Sequence, residues 1–186
     1  MEQERKNKRS ISPLERAMRL LSVRSYSEQE LMLKLRRAGV DDAEARAAVA
    51  ECRRRGYLND ELLAEDFAHA LSARGSGARL IRMRLRTRGL AAEHVEAALE
   101  KTADLEYEAA RRALEYKLRM LSNEKDPRKK REKAFRFLVS RGFSGAIIRE
   151  LFSKTDFGNA AETEFDPFGD AECDCFDDGD DGTGSC

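Results

Sequence analysis

The sequence lacks the patterns that indicate a membrane protein or a β-sheet protein. It contains no run of eighteen apolar residues, so no transmembrane helix is expected. It does not begin with the charged and then apolar segment of a secretory signal. No five-residue stretch alternates apolar and polar side chains strongly enough to indicate a β-strand. These absences predict an all-α protein located in the cytoplasm.

Residue patterns typical of enzymes are also missing. The two histidines, His69 and His94, fall on separate predicted helices and lack the spacing of a metal-binding pair. Gly75-Ser76-Gly77 lacks the downstream Gly-Lys-Ser/Thr of a phosphate-binding loop. No Ser, Thr or Cys lies beside a recognisable base. We therefore predict that the chain is not an enzyme and binds no metal or cofactor.

Cysteine is rare outside the C-terminal segment. Cys52 lies near apolar helical positions and is expected in the core or at its boundary. The other three are Cys173, Cys175 and Cys186. Their spacing is not a standard zinc pattern and a fourth ligand is missing, so free thiols are expected in a cytoplasm. A soft-metal site or a redox link is the alternative.

Positive charge is absent from the end of the chain. Residues 155–186 contain eleven acidic residues and no Lys or Arg, whereas residues 1–154 contain 35 basic and 24 acidic residues, a net charge of +11. The overall net charge of zero therefore conceals a basic body and an acidic tail. Because the tail has no helical periodicity, it is predicted to be disordered.

The basic body carries an internal repeat of about fifty residues. The dipeptide Leu-Ser recurs at that interval, as Leu21-Ser22, Leu71-Ser72 and Leu121-Ser122. A second series consists of glycines that follow apolar segments, namely Gly39, Gly89 and Gly142. The last interval is three residues longer, which places an insertion within 123–131. The repeat predicts tandem units that pack mainly on their neighbours.

Each unit is predicted to contain three helices, because apolar residues recur at intervals of three, four and seven. Ser27 with Glu30 has the capping-box pattern, Asp60 is predicted to cap the helix after it, and the three glycines are predicted helix stops. Nine helices and no sheet follow. The predicted parts are a basic arm (1–11), three helical repeats (12–59, 60–103 and 104–154) and the acidic tail (155–186).

Several segments along these repeats resemble those of the RecX family. They are Arg24 to Leu31 with Gly39, Gly56 to Asp60 with Phe67-Ala68, Arg74 with Gly77, Ile81, Leu85 and Gly89, and Phe137-Leu138 with Arg141 to Ser144. No single segment identifies the family. The order and spacing of the segments along three repeats of three predicted helices make the resemblance specific. It extends over residues 12–154.

The resemblance implies an elongated, curved, all-helical regulator of the RecA recombinase. Such a protein is expected to bind the RecA–DNA filament and to limit its extension or promote its disassembly. RecA ATPase activity, strand exchange and SOS-type signalling would then fall. The alternatives are a sequence-nonspecific DNA-binding helical repeat that acts independently of RecA, and an adaptor scaffold. A monomer is expected.

Two clusters of basic residues are the candidate binding sites for the filament. One helix carries five arginines with no acid between the first and the last, so these charges are not neutralised within that helix. The clusters are Arg79, Arg82, Arg84, Arg86 and Arg88, then Arg128, Lys129, Lys130, Arg131 and Lys133. Arginine binds either phosphate or carboxylate through two parallel hydrogen bonds, so both single- or double-stranded DNA and acidic patches on RecA remain possible partners. A solvated face and, for the second cluster, a mobile basic loop are the alternatives.

The acidic tail has two interpretations. One hypothesis is that it folds back on the basic body and competes with the filament, because charges of opposite sign face each other across one joint. The alternative is a solubilising tail.

Overall fold

The structure is a computed structural model that describes residues 11–157, and it contains eight α-helices and no β-strand within those residues. The helices are α1 (Pro13–Leu21), α2 (Glu28–Arg37), α3 (Asp42–Arg54), α4 (Asp60–Ala73), α5 (Ala78–Thr87), α6 (Ala92–Met120), α7 (Pro127–Ser140) and α8 (Gly145–Ser153). The all-α prediction is confirmed. The predictions for the basic arm and the acidic tail concern residues that lie outside the described range, apart from their inner edges.

Three separate hydrophobic cores divide the helices into three units. Unit 1 comprises α1 to α3, unit 2 comprises α4, α5 and the first half of α6, and unit 3 comprises the second half of α6 with α7 and α8. Each core contains one fully buried leucine four residues before a helix-ending glycine: Leu35, Leu85 and Leu138. Each repeat in the sequence therefore corresponds to one hydrophobic core.

The predicted helix boundaries are largely confirmed. Ser27 and Glu30 form a reciprocal capping box at the start of α2. Ser144 caps α8 through the amide of Ile147, and Asp126 caps α7 through the amides of Arg128 and Lys129. The three predicted stop glycines all have positive φ values, 81°, 75° and 82° for Gly39, Gly89 and Gly142.

The prediction of nine helices is wrong, because α6 runs without a break from unit 2 into unit 3. A third unit was expected to begin with its own helix near Asp104, but that residue lies inside the 29-residue α6. No Gly or Pro interrupts this helix. The buried Thr102 hydroxyl is satisfied within the helix, where it donates to the carbonyls of Ala98 and Leu99 at 3.2 and 3.1 Å.

The prediction that Asp60 caps its own helix is also wrong. Asn59 caps α4, because its side chain accepts a hydrogen bond from the amide of Leu62. The carboxylate of Asp60 instead accepts from the amide of Glu28 at 3.1 Å, at the start of α2 in the preceding unit. Asp60 thus joins two units rather than starting a helix.

The two junctions between units are built alike. At the first, the Ser27 hydroxyl donates to the carbonyl of Arg88 at 2.5 Å, in addition to the Glu28–Asp60 bond. At the second, the amide of Gly77 donates to the carbonyl of Arg141 at 2.8 Å, and the amide of Ala78 donates to the Glu106 carboxylate at 3.0 Å. In both, the start of a middle helix docks on the glycine turn that ends the middle helix of the next unit.

The second junction has no room for a side chain at either of its glycines. A Cβ on Gly77 would lie 2.4 Å from the carbonyl oxygen of Gly142, and one on Gly142 would lie 2.4 Å from the amide nitrogen of Leu80. The backbones of units 2 and 3 are therefore in direct contact. This contact, together with the continuous α6, fixes the position of α7 relative to α5. Within residues 11–157, no helix is long and apolar enough to cross a membrane.

Candidate functional site

The five arginines of the first predicted cluster, four on α5 and Arg88 at its C-terminal end, do not form one open surface. Arg82 binds Glu96 of α6 through two hydrogen bonds of 2.8 and 2.7 Å, and Arg86 lies 3.9 Å from the same carboxylate. The hydrogen bonds from Arg82 outweigh burial and hold the pKa of Glu96 below its usual value. Glu96 of the neighbouring helix α6 therefore neutralises positive charge on α5, which contains no acidic residue of its own.

Arg88 is part of the first junction. Its side chain is only 10% exposed. The guanidinium donates to Glu30 at 2.7 Å and to the carbonyl of Ser25 at 2.9 Å, and lies 4.0 Å from the ring centroid of Phe67. Burial alone would raise the pKa of Glu30, but the hydrogen bonds from Arg88 and from the amide of Ser27 hold it below its usual value. Arg88 is therefore a structural residue, not a candidate contact with a partner.

Within this cluster, Arg79 and Arg84 remain candidates for contact with a partner. Both are exposed, and neither has a carboxylate within 4.0 Å among residues 11–157. They lie about 140° apart around the helix, at 100° per residue. Met83, which is 56% exposed, lies on the arc between them. This arc combines two unneutralised guanidiniums with an apolar side chain.

The second predicted cluster lies on the first turns of α7 and is not a loop. Lys133 pairs with Glu124 at 2.6 Å, Lys129 lies 3.9 Å from Asp126, and the half-buried Arg131 lies 5.9 Å from the ring centroid of Phe152. Lys130 is partly buried. Arg128 is exposed and has no carboxylate within 4.0 Å in the described part of the chain. The charges here crowd a helix N-terminus, where the helix dipole disfavours cations.

The sequence reasoning missed a third group of arginines at the second junction. Arg74, Arg112 and Arg141 line a cavity of about 190 Å³ together with Tyr116 and Phe137. Arg141 lies 5.0 Å from the ring centroid of Phe137 and donates to the carbonyl of Arg74 at 3.4 Å.

The repeat itself contained a signal for this group. Arg88 and Arg141 both directly precede a helix-ending glycine, so they occupy equivalent positions. The partner of Arg88 is Glu30, and fifty residues later the equivalent position is Leu80. Comparison of equivalent positions in the units therefore indicates that Arg141 retains the guanidinium of Arg88, whereas the carboxylate of Glu30 has no counterpart at Leu80.

A larger cleft of about 740 Å³ lies at the first junction and is mostly polar. Its lining carries both signs of charge, with Arg53 and Arg86 as well as Glu28, Asp60 and Glu93. Burial raises the pKa of Asp60 despite its hydrogen bond from the amide of Glu28. Within the described residues, no group of three or more His, Cys, Asp and Glu side chains is arranged to hold a metal ion.

Comparison with known families assigns each unit. Three family models match, described as the first, second and third three-helix domains of RecX, over residues 14–52, 59–99 and 104–152. The chain belongs to the RecX family. The start of the third match lies inside α6, so the family's domain boundary and the helix boundaries differ in this protein.

Curated relatives support this assignment over most of their own length. "Regulatory protein RecX" of Chromohalobacter salexigens is 36% identical over 142 residues, which cover 76% of this chain and 91% of that protein. The protein of the same name from Stenotrophomonas maltophilia strain R551-3 is 34% identical, with 76% of this chain and 85% of that protein covered. That of Legionella pneumophila strain Corby is 30% identical, with 74% and 91% covered.

Solved structures agree on the fold. A crystal structure of RecX from Lactobacillus salivarius matches with a TM-score of 0.69 and 22% identity, and covers 76% of this chain and 93% of that one. Another crystal structure of regulatory protein RecX matches with a TM-score of 0.68 and 20% identity, with 76% and 70% covered. The array of three helical units is therefore shared with experimentally determined members of the family.

Proposed function

We propose that this RecX-family chain regulates RecA by binding the RecA–DNA filament, and that it limits filament extension or promotes disassembly. RecA ATPase activity, strand exchange and SOS-type signalling are then lowered in the cytoplasm. Support comes from membership in a family of regulatory proteins and from the charge of the body. Residues 11–157 contain 31 basic and 23 acidic side chains, a net charge of +8.

The observation that carries the proposal is the separation of the basic residues into two classes. Arg82, Arg88 and Lys133 have carboxylate partners that the fold supplies. Arg79, Arg84 and Arg128 are exposed and have none within the described residues. A planar guanidinium binds a carboxylate or a phosphate through two parallel hydrogen bonds, and a nucleoprotein filament offers both groups. These three arginines are the proposed contacts.

We further propose that the chain acts without catalytic chemistry of its own. The proposed contacts are cations on helix surfaces, and cations that bind anionic groups need no nucleophile or general base for that task. Any ATP hydrolysis in a mixed assay would belong to RecA.

Titration of the chain into RecA ATPase on single-stranded DNA tests the proposal. Inhibition at chain concentrations well below that of RecA is expected, because one regulator bound to a filament affects many RecA subunits. Inhibition that begins only when the chain is abundant enough to coat the DNA favours a DNA-binding protein that acts independently of RecA. No inhibition and no DNA binding would leave an adaptor scaffold.

A further inference from the structure

The cavity at the second junction has the chemistry of a recognition site for an aromatic side chain flanked by carboxylates. Tyr116 and Phe137 form aromatic walls, and Ala109, Ala113 and Gly75 are among the small residues that leave the cavity open. Its volume is about 190 Å³. An engineered apolar cavity of about 150 Å³ holds a benzene molecule, so a phenylalanine ring fits this space.

Three guanidiniums at the cavity lack an anionic partner among the described residues. Arg74, Arg112 and Arg141 have no carboxylate within 4.0 Å in residues 11–157. The neighbouring Arg111, in contrast, is neutralised by Glu108 at 2.8 Å and also pairs with Glu115. The side chain of Arg112 donates a 3.3 Å hydrogen bond to the carbonyl of Glu108. The cavity thus concentrates positive charge that the fold does not neutralise.

The comparison between junctions shows what is missing at Arg141. The equivalent arginine, Arg88, has its charge satisfied by Glu30, and Leu80 takes the place of that acid at the second junction. Arg141 also contacts an aromatic ring and a backbone carbonyl, those of Phe137 on its own helix and of Arg74, but it has no carboxylate within 4.0 Å among the described residues. A carboxylate from outside the described residues would complete the set.

We propose that the occupant of this cavity is the chain's own acidic tail, with Phe165 inserted between Tyr116 and Phe137. Phe165 is flanked by Glu164 and Asp166, which supply the carboxylates that the arginines lack. The tail segment 155–186 carries eleven acidic residues and no basic one, so its charge complements the cavity. The proposal concerns an intramolecular site and does not depend on RecA.

The tail is long enough to reach the cavity. The last described residue, Phe157, packs against Phe152 with ring centroids 4.9 Å apart, in the same core that contains Ala109 and Ala113 of the cavity. Phe165 lies eight positions after Phe157, and a chain of eight such steps spans at most about 26–29 Å. A domain of fifty residues has a radius of gyration of about 10 Å, so this reach crosses unit 3.

A competition experiment tests the site. A fluorescently labelled peptide of residues 160–170 is titrated at low salt into the full-length chain, its Phe165→Ala variant and the Phe165→Ala chain that also carries Arg112→Glu. We expect the peptide to bind the Phe165→Ala chain about tenfold more tightly than the wild-type chain, because the internal competitor is weakened. We expect Arg112→Glu to abolish that binding.

Two controls separate the site from general charge attraction. Arg111→Glu makes the same charge change one residue away, at an arginine that already has carboxylate partners, and should lower peptide affinity less than threefold. A peptide with Phe165→Ala should bind at least tenfold more weakly than the native one. Equal losses from Arg111→Glu and Arg112→Glu, or equal binding of both peptides, would overturn the cavity as the site.

The same data test the identity of the occupant. If the native peptide binds wild-type and Phe165→Ala chains with equal affinity, the tail does not fill the cavity and the proposal is wrong. Absence of peptide binding to the Phe165→Ala chain would also overturn it. Melting temperatures of all variants within a few degrees of wild type establish that lost binding is not lost folding.

Discussion

At the scale of single residues, the same arginine side chain has different roles that depend on the acid opposite it. Arg88 and Arg84 lie four residues apart at the end of α5, yet the side chain of the first is 10% exposed and pairs with Glu30, and the second is exposed with no carboxylate within 4.0 Å among residues 11–157. Since both look alike in sequence, the difference comes from α2 of the neighbouring unit. Substitution of an arginine at a junction should therefore change stability more than substitution of an arginine on the surface.

Arg88→Ala should destabilise the protein by about 2–3 kcal/mol, because it leaves the mostly buried Glu30 carboxylate without its main partner. The value lies below that for a fully buried pair because Glu30 is 22% exposed and Arg24 lies 3.7 Å from it. Urea unfolding followed by circular dichroism measures the change. Arg84→Ala is the control and should change stability by less than about 0.5 kcal/mol. Equal effects of the two substitutions would contradict the assignment of Arg88 to the junction.

Glu30 should also make stability depend on pH. Its pKa is lower in the folded chain than its usual value, so folding favours the ionised form. The stabilisation is present above the usual pKa of glutamate, about 4.3, and is lost as the pH falls through the lower folded-state value. Asp60, whose pKa is raised, contributes in the opposite direction. In unfolding measurements between pH 7 and pH 3, the wild-type chain should lose more stability than Glu30→Gln. A parallel pH dependence of the two chains would show that Glu30 is not the responsible group.

At the scale of secondary-structure elements, the glycine turns have two separable functions. Gly39 and Gly142 have almost the same φ, 81° and 82°, so both positions disfavour a residue with a Cβ. A Cβ on Gly39 would meet nothing within 4 Å, whereas one on Gly142 would clash with the backbone of Leu80. One turn only ends a helix, and the other also forms a junction.

Substitution of these glycines by alanine separates the two functions. Gly39→Ala should cost about 1–2 kcal/mol, the conformational penalty alone. Gly142→Ala should cost at least about 2 kcal/mol more, because the backbones of units 2 and 3 must move apart. The free energies of unfolding from urea titrations give the difference directly. If the two substitutions destabilise the chain equally, the close contact between the units does not contribute to stability.

The sequence predicts the ends of the helices better than it predicts the contacts between the units. The three glycine stops and the Ser27–Glu30 box are encoded by neighbouring residues, and both predictions are confirmed. The predicted helix start near Asp104 is wrong, because a repeat in the sequence does not require a break in the helix. The Asp60 contact with Glu28 depends on residues 32 positions apart, which local patterns do not contain.

At the scale of the whole molecule, the candidate site is smaller and differently placed than the basic residues suggest. Ten basic residues were predicted to bind the filament, and of these Arg79, Arg84 and Arg128 are exposed and lack a carboxylate partner within the described residues. The sequence could locate the clusters but not the acids that face them, because Glu96 and Glu124 belong to other elements.

Salt dependence should distinguish phosphate from carboxylate as the partner of these arginines. If Arg79 and Arg84 each contact a phosphate, replacing both by alanine should reduce the slope of log affinity against log salt by about 1.4–1.8. Anisotropy of labelled single-stranded DNA, with and without RecA, measures the slope. An unchanged slope together with weaker filament binding would assign these two arginines to acidic patches on RecA.

The most direct measurement of the central claim is the inhibition of RecA ATPase on single-stranded DNA by two double variants. Arg79→Ala/Arg84→Ala removes two exposed arginines that have no carboxylate partner in the part of the chain that the structure describes. Arg46→Ala/Arg136→Ala is the matched control, because it removes two exposed arginines that pair with acids of their own helices, Asp42 and Glu132. Filament regulation through unneutralised arginines predicts at least a tenfold rise in the half-inhibitory concentration for the first variant and less than a twofold rise for the second. Equal shifts for the two variants, or no shift for the first, would contradict it.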